Sequence, residues 1–253
     1  MTIGHTLYGR GAEGVIVCHG WFGDSKVFDP MLPWLDLDAF TYAFVDYRGY
    51  GKSKSMTGEY TVGEIASDVL ALADSLRWGR FHVIGHSMGG KVVQRVALNA
   101  PDRVKTGIAV TPVPACGARF DEETYLMFAG APESDEKRYG ITDFSVSGRL
   151  TPRWVQAIVR ASRETSTVEA FRGYLPSWAR EDFSAEAKGL QTPMSVIVGE
   201  FDPKLNPEVM RETFLAWYPN AELHVIGNCG HYPMQEAPVR LATLIGEFLG
   251  RHK

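Results

Sequence analysis

The stretch FHVIGHSMGGKVVQRVAL, residues 81–98, sets one hydroxyl, Ser87, between Gly85 and Gly89 in a G-x-S-x-G pattern. A serine hydroxyl attacks a carbonyl only when a base takes its proton, an acid orients that base, and N–H donors receive the developing oxyanion. The chain carries a candidate for each part. His231 lies in GNCGHYPMQEAP, a glycine-rich stretch before the last helix-like run. Of the seven histidines it alone joins a strand-end loop to a late position in the chain. Asp202, in VIVGEFDP, is the candidate acid, with Glu200 its rival two residues nearer the strand. Asp202 is preferred because the glycine before it marks the strand's end, and Pro203 biases it toward an extended conformation. Met88 N–H is one candidate oxyanion donor. Trp21 N–H, in HGWFGD, is the second, with Phe22 N–H as the alternative. A structural reading competes for Ser87, as a simple N-cap of the helix that follows.

These residues do chemistry only if the chain brings them together. Short apolar runs alternate with longer amphipathic ones. GVIVCHG (14–20), FTYAFVDYRG (40–49), RFHVIG (80–85), RVKTGIAV (103–110), TPMSVIVG (192–199) and AELHVIG (221–227) read as buried strands. Helices are predicted over 61–78, 88–100, 207–218 and 238–250. In the first of them, Thr61 and Glu64 form a capping box. Strands alternating with helices predict an α/β fold, a mostly parallel sheet covered on both faces. Ser87 then falls between a strand and a helix, which is the context that gives G-x-S-x-G its specificity. From about Pro112 to Lys188 no buried strand is predicted, only helix-like, charged and aromatic segments.

The rest of the composition narrows the function classes. With 253 residues the chain makes one large domain or a domain with an insertion. A net charge of -4 offers no electrostatic footprint for nucleic acid or an anionic membrane surface. No apolar run approaches the ~18 residues of a membrane span, and the N-terminus lacks a secretory pattern. Cys18, Cys116 and Cys229 are odd in number and widely spaced, which fits a reducing, cytoplasmic compartment. No metal-ligand cluster is seen, so no metal or other cofactor is expected. The chain is expected to be a monomer or a dimer.

Five stretches then carry a resemblance: HGW (19–21), DYRGYGKS (46–53), GHSMGG (85–90), GEFDP (199–203) and GHYP (230–233). In this order they resemble the α/β-hydrolase family with a helical cap. HGW with GHSMGG is similar to the branch of bacterial aryl esterases and cofactor-free haloperoxidases. The resemblance implies a hydrolase core over 1–111 and 186–253, and a cap over 112–185. It implies a triad in the chain order Ser87, Asp202, His231. Asp46 and Arg48 would brace loops. Trp21, Phe22 and His86 from the core, and Phe128, Trp154 and Trp178 from the cap, would line the substrate site. Phe171 and Tyr174 add to the aromatic count of that segment.

A serine at the elbow points to acyl transfer, where relatives with an aspartate there take other routes. The expected activity is cleavage of a small or medium carboxylic ester. Perhydrolysis, lactone hydrolysis and carbon–carbon bond hydrolysis are alternatives on the same triad. A receptor-like binding protein is the reading outside catalysis.

Overall fold

A computed structural model describes residues 2–253 of the chain. Seven strands form one sheet: β1 (His5–Gly9), β2 (Glu13–Cys18), β3 (Phe40–Val45), β4 (Phe81–His86), β5 (Val104–Val110), β6 (Met194–Gly199) and β7 (Ala221–Ile226). Their spatial order is β1-β3-β2-β4-β5-β6-β7. The β1–β3 pair is antiparallel and every other pair is parallel. In β4 every residue is buried, so both faces of the sheet are covered at its centre.

The helices are α1 (Val62–Ser75), α2 (Met88–Asn99), α3 (Glu122–Ala129), α4 (Asp135–Ser145), α5 (Pro152–Thr165), α6 (Val168–Ala179), α7 (Ser184–Ala187), α8 (Pro207–Met210), α9 (Pro233–Glu236) and α10 (Pro238–Gly250). Five of them, α3 to α7, fall between β5 and β6, where the sequence predicts no strand. In α1, Ile65, Val69 and Leu72 are buried, as their spacing predicts. Its capping box is only half formed. Thr61 Oγ1 accepts from Glu64 N at 3.0 Å, but the Glu64 carboxylate turns outward to the amides of Glu59 and Tyr60. Asp46 and Arg48 brace loops as expected. Asp46 accepts from Ser25 N and Lys52 N, and Arg48 grips both carboxylate oxygens of Asp68.

Two elements longer than four residues lie outside the sequence prediction. One is β1, whose five residues pair only with β3 at the sheet's edge. The other is a 3-10 segment, Ser25–Trp34, in which Pro30 and Pro33 break any helical pattern.

The carboxyl ends of the parallel strands share one edge, and the helical segment is tied to that edge. Lys91, buried in α2, donates to the carbonyls of Ser177, Trp178 and Glu181 at the end of α6. A cation suits a helix C-terminus. Burial nevertheless lowers the Lys91 ammonium from its ordinary range to about 8. Trp21, after β2, donates its indole N–H to Phe171 O of α6 at 2.7 Å.

Close approach of backbones leaves the two glycines beside Ser87, Gly85 and Gly89, no room for a side chain. A Cβ on Gly85 would lie 2.0 Å from Gly89 O, and one on Gly89 would lie 2.5 Å from Cys18 O. By contrast Gly246, within α10, faces open space. Gly85→Ala is therefore expected to lose about 1–3 kcal/mol or more of stability from the forced shift. Gly246→Ala is expected to gain roughly 0.5–1 kcal/mol from helix propensity. Chemical denaturation of both variants checks the contrast, and equal effects would contradict the packing at the elbow.

Candidate active site

Ser87 joins β4 to α2 with φ 56° and ψ -116°, a left-handed conformation that costs a non-glycine residue energy. Its backbone is pinned on both sides. Ser87 N donates to Val110 O at 3.0 Å, and Ser87 O accepts from Gly90 N and Val113 N. The strained turn lifts the side chain above the strand edge. Although Ser87 occupies the N-cap position of α2, its side chain makes no capping bond. The Oγ instead lies 3.0 Å from His231 Nε2. The hydroxyl thus faces an imidazole and not the amides of its own helix.

His231 Nδ1 lies 2.6 Å from Asp202 Oδ2. A carboxylate only accepts, so Nδ1 carries the hydrogen and Nε2 is left to accept from the serine hydroxyl. The other Asp202 oxygen accepts from the amides of Lys204 and Leu205 at 3.1 and 2.9 Å. Asp202 is 3% exposed. Glu200 is exposed and accepts instead from Asn228 N.

Two further side chains hold His231 by its carbonyl. His86 Nε2 donates to His231 O at 2.8 Å, and Thr111 Oγ1 donates to it at 3.1 Å. Thr111 itself has φ 39°, unusual for a β-branched residue. No sequence signal marked it, because its role depends on β5 ending beside the His231 loop. His86 was expected among the substrate-lining residues. It does line the cavity, but its ring also holds the His231 loop. Burial holds its imidazole well below the ordinary range, and the neighbouring His231 acts in the same direction.

A cavity of about 420 Å³ opens on Ser87, within the range of small-molecule sites. Its lining includes Trp21, Phe22 and His86 from the core and Phe128 and Trp178 from the helical segment. Trp21 stacks on Phe171 with ring centroids 4.0 Å apart. The loop after β2 packs closely on the elbow at Gly20, where an added Cβ would lie 2.9 Å from His86 Nδ1 and 3.2 Å from Ser87 Cβ.

Trp154 does not line the cavity, which corrects the expectation for it. Its indole donates to Gln235 Oε1 at 2.9 Å, and its ring packs on Tyr232 at 5.2 Å. Phe171 and Tyr174 are buried among core aromatics and also stay out of the lining. Sequence reasoning missed Phe120, Met127 and Phe144, which do line it. Their shared signal is apolarity within a charged segment; Met127 and Phe144 are also exposed.

The α/β-hydrolase fold family matches residues 14–238. The chain belongs to this family. It is 27% identical over 262 residues to the pimeloyl-[acyl-carrier protein] methyl ester esterase of Serratia marcescens, covering 96% of each chain. It is 26% identical over 270 residues to a 2-hydroxy-6-oxononadienedioate/2-hydroxy-6-oxononatrienedioate hydrolase of a Pseudomonas species, covering 96% of this chain and 90% of the other. Among solved structures it superposes on a bromoperoxidase from Bacillus anthracis with a TM-score of 0.85 at 18% identity, covering 97% and 94% of the two chains. At that identity the likeness concerns the fold.

The buried histidines generate a stability prediction. Desolvation is the largest effect on His19, His82 and His86, and lowers all three from their ordinary range; His82 falls to about 4. The folded state therefore binds fewer protons than the unfolded one in this window. His82 contributes stability above its unfolded value, and loses it as pH falls through its folded value. The stability difference between wild type and His82→Gln should change between pH 6.5 and about 4. Urea denaturation at stepped pH checks this, and a pH-independent difference would contradict it.

Proposed function

We propose that the protein is a serine hydrolase that cleaves carboxylic esters of small or medium size through an acyl-enzyme on Ser87. The observation that carries the reading is the unbroken hydrogen-bond chain from Ser87 Oγ through His231 to Asp202, at 3.0 and 2.6 Å. It begins on a residue whose backbone is strained and whose hydroxyl serves no cap.

In this reading His231 Nε2 takes the hydroxyl proton as Oγ attacks the ester carbonyl. Asp202 holds the Nδ1–H tautomer and stabilises the imidazolium that forms. The oxyanion is received by the amides of Met88 and Trp21, with the N-terminus of α2 adding its partial positive charge. As the tetrahedral intermediate collapses, the C–O bond to the alcohol breaks and His231 returns the proton to the leaving oxygen. Water then attacks the acyl-enzyme by the same route and frees the acid and Ser87. The helical segment acts as the cap, and Trp21, Phe22, His86, Phe128 and Trp178 contact substrate.

The cavity chemistry favours a neutral ester over a dianionic carbon–carbon bond substrate of the kind named for one relative. Two carboxylates taken out of water need cationic partners. Among the lining residues described, Lys204 is the one lysine or arginine, and it is exposed. The relative named as a methyl ester esterase points the same way.

Ser87→Ala is expected to lower kcat for p-nitrophenyl acetate by very roughly 10⁴-fold while the fold persists. Asp202→Asn should come close to that loss and Glu200→Gln should not. Comparable losses in the two acid variants would reverse the assignment, and an active Ser87→Ala would defeat it. Selectivity has its own test. Phe128→Ala and Met127→Ala should shift the ratio of kcat/KM between bulky and short acyl esters, whereas Trp154→Phe should leave that ratio unchanged. A shift from Trp154→Phe alone would place the acyl site elsewhere.

A further inference from the structure

We propose that one turn of the helical segment, Val146–Arg149, is a positioning device that keeps the loops of Asp202 and His231 in register. This rests on the reading of those two side chains as acid and base. The turn is left-handed at Ser147 (φ 55°) and Gly148 (φ 62°), which sends neighbouring side chains to two different loops. Ser147 Oγ donates to Phe201 O at 2.8 Å, one residue before Asp202. The Arg149 guanidinium covers the Phe201 ring at 4.7 Å. The same guanidinium reaches the other loop. Its Nη1 donates to Glu236 Oε2 at 2.8 Å, and its Nη2 donates to Asn228 O at 2.8 Å and to the Asn228 side chain.

Glu236 is what makes this contact consequential. Its side chain is 2% exposed. One oxygen accepts from Gly230 N at 2.8 Å and the other from Tyr232 N at 3.0 Å. Those amides flank His231, so the base loop is wrapped around a buried carboxylate whose paired cation is Arg149. Val146 closes the contact from below: a Cβ on Gly230 would lie 2.9 Å from Val146 Cα. Trp154, five residues after Arg149, packs on Tyr232 and Gln235 of the same loop and short helix.

A buried carboxylate that loses its cation is strongly disfavoured and draws in water. The route for that water is to loosen the Gly230–Tyr232 amides, and His231 moves with them. Catalysis feels such a move sharply, because a misplacement of about 1 Å can cost roughly 100-fold in rate. Arg149 and Glu236 thereby act through His231 and touch no substrate, and the segment that roofs the cavity also sets the triad beneath it.

The test compares wild type, Arg149→Met and Arg149→Lys. Each is assayed with p-nitrophenyl acetate after titration of reactive Ser87 by a fluorophosphonate probe, beside thermal melting. Arg149→Met is expected to lower kcat per titrated site roughly 10- to 100-fold. KM should stay within about twofold, as for a group acting on the chemical step. The low-field proton resonance of the His231–Asp202 hydrogen bond should move or broaden. Arg149→Lys, which keeps a cation beside the Glu236 carboxylate, should recover part of kcat and of the resonance. A purely structural brace would lower the melting temperature alone. Wild-type kcat per titrated site with an unchanged resonance in Arg149→Met would overturn the proposal. If that variant does not fold, Glu236→Gln, which leaves one acceptor oxygen where the carboxylate gives the Gly230 and Tyr232 amides two, is expected to lower kcat per titrated site as well, and wild-type kcat there overturns it. A wild-type protein inert to the probe would instead defeat the triad reading itself.

Discussion

The close approach of three backbones at Ser87 is the constraint from which the rest of the site follows. Gly85 in β4 and Gly89 in α2 leave no room for a Cβ, and the carbonyls of Cys18 and His19 lie directly against α2. A strand can pass into a helix this tightly only if the residue between them takes a left-handed conformation. That residue carries the hydroxyl. The strain is maintained by the hydrogen bonds to Val110, Gly90 and Val113, so the elbow is held from the neighbouring strand as well as from its own helix.

Around this fixed point the polar groups are accounted for with few gaps, as buried polar groups must be. His231 is held by its ring through Asp202 and by its carbonyl through His86 and Thr111. Its neighbouring amides are held by the Glu236 carboxylate. A loop residue thus gains the precision of a core residue. The hydrogen-bond partners come from β4, from the end of β5, from the loop after β6 and from α9. Each strand end contributes because parallel strands deliver their carboxyl termini to one edge.

Much of this architecture is legible in the amino-acid order because its signals are local. The buried β2 and β4 runs, the amphipathic spacing of α1, and a serine between glycines at a strand–helix junction all lie within short windows. Signals that depend on partners far along the chain are lost. The edge strand β1 has no apolar run of its own and exists because β3 offers it hydrogen bonds. Glu64 leaves its expected capping partner for the amides of Glu59 and Tyr60, since the left-handed Tyr60 brings them within reach. Trp154 has the composition of a pocket residue. It packs on Tyr232 because α5 leaves it beside the His231 loop.

By itself the sequence determined the fold class, the hydroxyl between two glycines, and a short list of candidate bases and acids. These follow from residue type and spacing, which the backbone converts into strands, helices and turns. The sequence ranked Asp202 above Glu200, and the tertiary structure alone shows which of the two carboxylates meets His231, since they lie two residues apart yet face different neighbours. It alone paired Arg149 with Glu236 across 87 positions and brought Thr111 to the carbonyl of His231 across 120. Contacts between distant residues are set by how helices and strands pack, and packing depends on the whole shape of the buried surface. No short window of residues contains that information.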